Sequence, residues 1–136
     1  MINKKITFIT LGCSKNIVNS EVAIEQFRLN GWDANWEEYQ DPAENVIINT
    51  CGFIGDAKQE SIDTILFFAD LKNQNKIKRL FVVGCLVQRY EEELTKEIPE
   101  VDAVYGIEFL PKLINDINLE YFPKHLQNRI LTSPKH

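Results

Sequence analysis

The sequence predicts an α/β protein, a three-layer sandwich around a five-stranded parallel sheet. Two observations carry that expectation. Short runs rich in β-branched and aromatic residues alternate with longer stretches whose apolar residues recur at helical spacing. The segments between successive strand-like runs are also long enough for right-handed crossovers, which makes neighbouring strands parallel. A chain of 136 residues is a common size for one domain and can bury a core without a metal or disulfide. The expected strand order is flavodoxin-like, 2-1-3-4-5.

Residues 5–11 are dense in Ile, Thr and Phe and read as a buried strand. Over residues 16–30, Ile17, Ala23, Ile24 and Phe27 fall at helical spacing, and Asn30-Gly31 supplies a stop. Residues 32–37 form a short second strand, and 38–44 a polar loop marked by Asp41-Pro42. Residues 46–49 make a brief apolar third strand and 52–55 a turn. Asp56 with Gln59 resembles a capping box at the next helix start. That helix is expected to bury Ala57, Ile62, Ile65, Phe68 and Ala69, and residues 72–78 form its polar, basic end. A fourth strand follows at 79–83. The helix at 86–97 turns Val87, Tyr90 and Leu94 inward and stops at Ile98-Pro99. A fifth strand at 102–105 precedes a last helix at 108–118, with Pro111 tolerated in its first turn. Residues 119–136 lose periodicity and read as a linker, so the domain proper is expected to span residues 1–118.

Apolar residues make up 44% of the chain and charged residues 26%, as in ordinary globular domains. The net charge of −5 makes a direct nucleic-acid grip a poor expectation, because such grips rest on Lys and Arg neutralising phosphates. A basic protein partner is more compatible. Lys4-Lys5 and the run to Cys13 faintly imitate a lipoprotein signal, but the apolar part is too short and is broken by Thr7 and Thr10. No run approaches a membrane span. Three cysteines with no close pair argue against a secreted disulfide framework and for a reducing, cytoplasmic setting.

Those cysteines are the chemical centre of the sequence. Cys13, Cys51 and Cys85 each follow an apolar strand, each has a glycine neighbour, and each stands before a helix. Ligands of open α/β sheets bind beyond the carboxyl ends of the strands. In the order 2-1-3-4-5 the three strands concerned are neighbours, with the outer two roughly 10 Å apart. The hypothesis is that the three thiols converge on one metal cluster. Three thiolates are too few to close a zinc site or saturate a four-iron cluster, which take four ligands. A four-iron cluster so held keeps one iron open for chemistry. The plainer alternative, in which each cysteine is a small buried filler, stays open on spacing alone.

Several motifs in order carry a resemblance. Leu11-Gly12-Cys13-Ser14-Lys15-Asn16, Asn19-Ser20-Glu21, Asn49-Thr50-Cys51-Gly52-Phe53-Ile54 and Val83-Gly84-Cys85-Leu86 with Gln88-Arg89-Tyr90 resemble the N-terminal domain of the radical S-adenosylmethionine methylthiotransferases, over residues 5–110. The Cys-Ser-Lys-Asn wording is most like the branch that modifies an aspartate β-carbon in a small-subunit ribosomal protein; the tRNA-modifying branch usually reads Cys-Gln-Met-Asn. Asn19 stands where the family usually has aspartate. The resemblance implies that Cys13, Cys51 and Cys85 hold an auxiliary 4Fe-4S cluster that carries the sulfur or methylthio group. It also implies a further domain with a second 4Fe-4S cluster and S-adenosylmethionine, whose Cys-x-x-x-Cys-x-x-Cys motif is missing from this sequence. The chain is therefore expected to be inactive alone, with residues 119–136 leading towards that domain. The implied partners are the ribosomal protein and the remaining domains, with no membrane involved.

Near the cysteines, Asn16 and Asn49 are expected to cap helices or turns, or to hydrogen-bond cluster sulfides. Lys15 and Arg89 could balance cluster charge or be simply solvated. Trp32, Trp36, Phe67 and Phe68 read as core or edge packing, and His125 and His136 as weak ligand candidates in the tail. Rival chemistries lack their residues. A flavin carrier needs a hydroxyl- and glycine-rich loop at 12–17. A phosphoacceptor needs acids where Leu11, Gly12 and Cys51 stand. A cysteine phosphatase needs arginine where Asn19, Ala57 and Glu91 stand. A tRNA methylthiotransferase domain, or a partner-binding module with inert cysteines, remains the alternative.

Overall fold

The computed structural model describes residues 5–12, 14–51 and 55–121. The elements run β1 (Lys5–Thr10), α1 (Ser14–Leu29), β2 (Asp33–Trp36), β3 (Asn45–Thr50), α2 (Gly55–Asn73), β4 (Arg79–Gly84), α3 (Cys85–Glu97), β5 (Ala103–Tyr105) and α4 (Leu110–Tyr121). All strands pair in parallel, in the order β2-β1-β3-β4-β5. That is the expected sheet.

Side chains alternate across each strand, so the sheet builds two cores. Ile6 and Phe8 of β1 and Ile47 of β3 face Ala23 and Phe27 of α1 and Leu113 and Ile117 of α4. Ile9, Val46 and Ile48 face Ile65 and Phe68 of α2 and Leu86 and Leu94 of α3. Every residue of β3 is buried, as befits the middle strand. Trp32 packs edge-on against Phe27, with ring centroids 5.5 Å apart, while its N–H donates to the Phe27 carbonyl at 2.9 Å and closes α1. Trp36 and Phe67 lie at the surface, and Phe68 is fully buried.

Several local expectations change, and Ala57, Ile62 and Tyr90, expected inside, are half-buried. Ile17 is 42% exposed rather than inward, because α1 carries apolar residues around its circumference; Val18, Val22 and Leu29 also face solvent. The capping box does not form. Asp56 lies in the first turn of α2, and the Gln59 amide reaches forward to Asp63 Oδ1 at 2.8 Å. The last helix runs over Leu110–Tyr121, past the expected end at 118. α3 also kinks at Tyr90, whose φ of −128° is not helical, and Lys58 Nζ sits 4.0 Å from the Tyr90 ring centroid. No helix among the described residues is long and apolar enough to cross a membrane.

Candidate metal centre

The site lies at the carboxyl edge of the sheet. Cys51 directly follows β3 and is buried; Cys85 opens α3 directly after β4 and is half-buried. Both line one small cleft of about 70 Å³ with Lys15, Asn16 and Asn19 of α1, Asn49 of β3, Gly84 of β4, and Ile107 after β5. Cys13 falls outside the described residues, but its neighbour Gly12 does not. The Gly12 backbone presses on Cys51: a Cβ there would collide with Cys51 Cβ and stand 3.0 Å from Cys51 Sγ. Gly12 has φ +93° and Gly84 has φ +103°, so both turns use backbone that only glycine adopts readily. The chain leading into Cys13 is thus held against the second thiol, and the third shares the same cleft.

Polar side chains around the cleft bind backbone. The Asn16 amide, buried, donates to the Leu11 carbonyl at 2.7 Å and the Thr50 carbonyl at 2.9 Å. Asn49 donates to the Asn16 carbonyl at 3.3 Å and Ser20 Oγ at 3.1 Å. Neither caps a helix: Asn16 lies inside α1 and Asn49 inside β3. Ser61 of α2 clamps Cys51 itself, accepting from its N–H at 3.2 Å and donating to its carbonyl at 2.9 Å. The Thr50 hydroxyl donates to the Val83 carbonyl at 2.7 Å and accepts from the Leu86 N–H at 3.2 Å. Sequence reasoning missed the parts played by Thr50 and Ser61. A lone hydroxyl residue carries no positional signature, and only its place opposite a cysteine-bearing turn distinguishes it.

Other candidates divide. Lys15 lines the cleft and is exposed, so it can meet negative charge there while solvated. Arg89 is exposed and does not line the cleft. Gln88, from the same motif, accepts from the Ile107 N–H at 3.1 Å and ties the end of β5 to α3. His125 and His136 lie outside the described residues. Among the described residues, no three His, Cys, Asp or Glu side chains are grouped so as to hold a metal ion. The donors on view are two thiols with amides around them. That set suits a soft, thiolate-binding metal centre and suits hard oxygen-liganded ions poorly.

Residues 5–106 match the family described as Uncharacterized protein family UPF0004. The chain belongs to the UPF0004 family. It is also similar to proteins named ribosomal protein uS12 methylthiotransferase RimO. With the one from Cytophaga hutchinsonii it is 46% identical over 132 residues, covering 97% of this chain and 30% of the relative. With that of Parabacteroides distasonis it is 44% identical over 136 residues, covering all of this chain and 32% of the relative. With that of Bacteroides thetaiotaomicron it is 46% identical over 136 residues, covering all of this chain and 31% of the relative. The chain thus spans about a third of the length of these relatives. The UPF0004 match ends at the close of β5, so it takes in all three cysteines and the whole sheet.

Proposed function

We propose that this chain is the auxiliary-cluster domain of a ribosomal-protein methylthiotransferase, with Cys13, Cys51 and Cys85 as ligands of a 4Fe-4S cluster. One observation supports it above the rest. Cys51 and Cys85 line a common cleft, and Gly12, next to Cys13, leaves no room for a Cβ between itself and the Cys51 side chain. Inert filler cysteines would have no reason to share a cleft at the ligand-binding edge, nor to be joined by glycines at positive φ.

When bound, such a cluster offers one iron without a protein ligand, able to carry the sulfur or methylthio group. The chain's own part is to hold three thiolates in a fixed arc, shield them with α1 and the turn after β5, and place Lys15 where it offsets negative charge. The domain, expected over residues 1–118, takes in α4 to its end at Tyr121, and the residues after it lead on towards the part of the full-length protein that holds S-adenosylmethionine and the second 4Fe-4S cluster. The substrate is a small-subunit ribosomal protein, as the names of the relatives suggest, and the resemblance of the motifs implies an aspartate β-carbon as the modified atom. The setting is cytoplasmic, and the isolated chain does not turn over.

Anaerobic reconstitution with iron and sulfide tests the reading. The wild-type chain should bind about four irons with thiolate-to-iron charge-transfer absorption. Cys13→Ala, Cys51→Ala and Cys85→Ala should each lose most of it. A folded wild-type chain that keeps no more iron than the triple variant would refute the cluster. For the substrate, the full-length protein should add a methylthio group to the ribosomal protein, and modification of tRNA instead would redirect the assignment.

A further inference from the structure

Two buried side chains, Asn16 lining the cleft and Thr50 directly before Cys51 in sequence, together bond backbone beside all three cysteines. Asn16 joins the Leu11 carbonyl, just before Gly12-Cys13, to the Thr50 carbonyl, just before Cys51. Thr50 carries the connection onward. Its hydroxyl bonds Val83 on one side of Gly84-Cys85 and Leu86 on the other. All four bonds are buried. The sheet ladder ends at these strand termini, so the links are additional to it, and they run between turns rather than within one. Resting on the cluster reading above, we propose that Asn16 and Thr50 are positioning residues that fix the three turns in register, so that the thiols are arranged before iron arrives.

The physical reason is preorganisation. Turns left independent would have to be ordered as the metal binds, and that lost freedom weakens binding. Removing either link also strands buried carbonyls or an N–H, so the turn next to it relaxes rather than simply losing a contact.

The test uses replacements of similar shape in the intact chain. Thr50→Val removes the hydroxyl, Thr50→Ser retains it, and Asn16→Leu removes both amide donors. After reconstitution, iron per chain and the rate of iron loss to a chelator are measured. Thr50→Val and Asn16→Leu should lose iron about 10- to 100-fold faster than wild type, the range typical for groups that orient metal ligands. Thr50→Ser should stay close to wild type. Ile77→Ala, in the core at the opposite edge of the sheet, lowers stability without touching the turns and should release iron at the wild-type rate. In the iron-free chain, the Leu86 amide should exchange with solvent faster in Thr50→Val and recover in Thr50→Ser, with strand-centre amides unchanged. Iron loss in Thr50→Val or Asn16→Leu no faster than in Ile77→Ala overturns the proposal. A wild-type chain that takes no iron overturns the cluster reading instead. The register is then judged on the Leu86 amide alone, where unchanged exchange in Thr50→Val overturns it as well.

Discussion

Gly84→Ala is the sharpest single test of the site's construction. Gly84 has φ 103° and ψ −156°, a region essentially reserved for glycine. A Cβ there would stand 2.7 Å from Asn49 Oδ1, 2.8 Å from the Thr50 carbonyl oxygen and 3.1 Å from the Thr50 nitrogen. None of these neighbours yields easily. Asn49 is 1% exposed and held by two hydrogen bonds, and the Thr50 carbonyl is held by Asn16. Backbone strain contributes about 1–3 kcal/mol and overpacking about 1–3 kcal/mol more. The sum, about 2–6 kcal/mol, is a large share of a small domain's stability. At roughly 3–6 °C per kcal/mol for a domain of this size, the melting midpoint should fall by about 6–36 °C. The assay is thermal and urea unfolding of the iron-free chain followed by circular dichroism. Gly106→Ala provides the contrast, since its Cβ would meet the end of the exposed Gln88 side chain, which can swing away at a cost of about 1 kcal/mol. A Gly84→Ala midpoint within about 3 °C of wild type would refute the reasoning.

Ser61→Ala strips the N–H and carbonyl of Cys51 of their shared partner and should cost about 2 kcal/mol in urea unfolding; no change would mean that water replaces the hydroxyl freely. Tyr105 donates to Asp116 at 2.7 Å, and burial, followed by Asp116, pushes its phenol well above the usual tyrosine value. Its stabilising effect is complete below about pH 10, where the unfolded phenol ionises, and is lost as pH rises beyond. Tyr105→Phe should therefore flatten the alkaline decline in stability, though Tyr39, also raised by burial and by Glu37 and Glu60, leaves some slope; identical slopes would disprove the assignment. Asp102 accepts from the Leu80 N–H and from Lys72 Nζ, both at 2.8 Å. Asp102→Ala should cost about 1–2 kcal/mol in urea unfolding, through the stranded N–H. Lys72→Met should cost under about 1 kcal/mol because the ion pair is partly exposed; equal costs would contradict this ranking.

The sheet was legible because its signals are collective. Five apolar runs and their spacing leave few ways to connect parallel strands, and the order in turn places Cys51 and Cys85 at one edge. Features resting on a single residue were not. The apolar residues of α1 suggested one buried stripe, yet Ile17 faces solvent, since a helix apolar on all sides offers no unique face. Asp56 and Gln59 have capping-box spacing, but Asp63 lies one turn on and wins the Gln59 amide. Asn16 was recognised as important from its place beside Cys13, and its partners could not be read. An amide bonds ligand, helix end or strand carbonyl equally well, and only the approach of β1 and β3 decides among them.

The position of β3 explains why so much of the site depends on it. It lies between β1 and β4, so its last residue is tied to both neighbouring exits, to that of β4 through the Thr50 hydroxyl and to that of β1 through the Thr50 carbonyl and Asn16. The registers agree: Thr10 pairs with Asn49, and Thr50 with Gly84, so the three chains leave the sheet at nearly one height. At about 4.8 Å between strands, equal height sets the exits of β1, β3 and β4 side by side, which is the arrangement the proposed cluster requires. A slip of one residue in any of the three would turn that strand's side chains towards the opposite face and shift the point at which the chain leaves the sheet. Alternating burial on both sides of β3 makes such a slip costly, because Val46 and Ile48 would exchange cores with Ile47. The same two-sided packing that stabilises the sheet therefore sets the geometry of the cleft, and Asn16 and Thr50 act only on the short turns that lie beyond its reach.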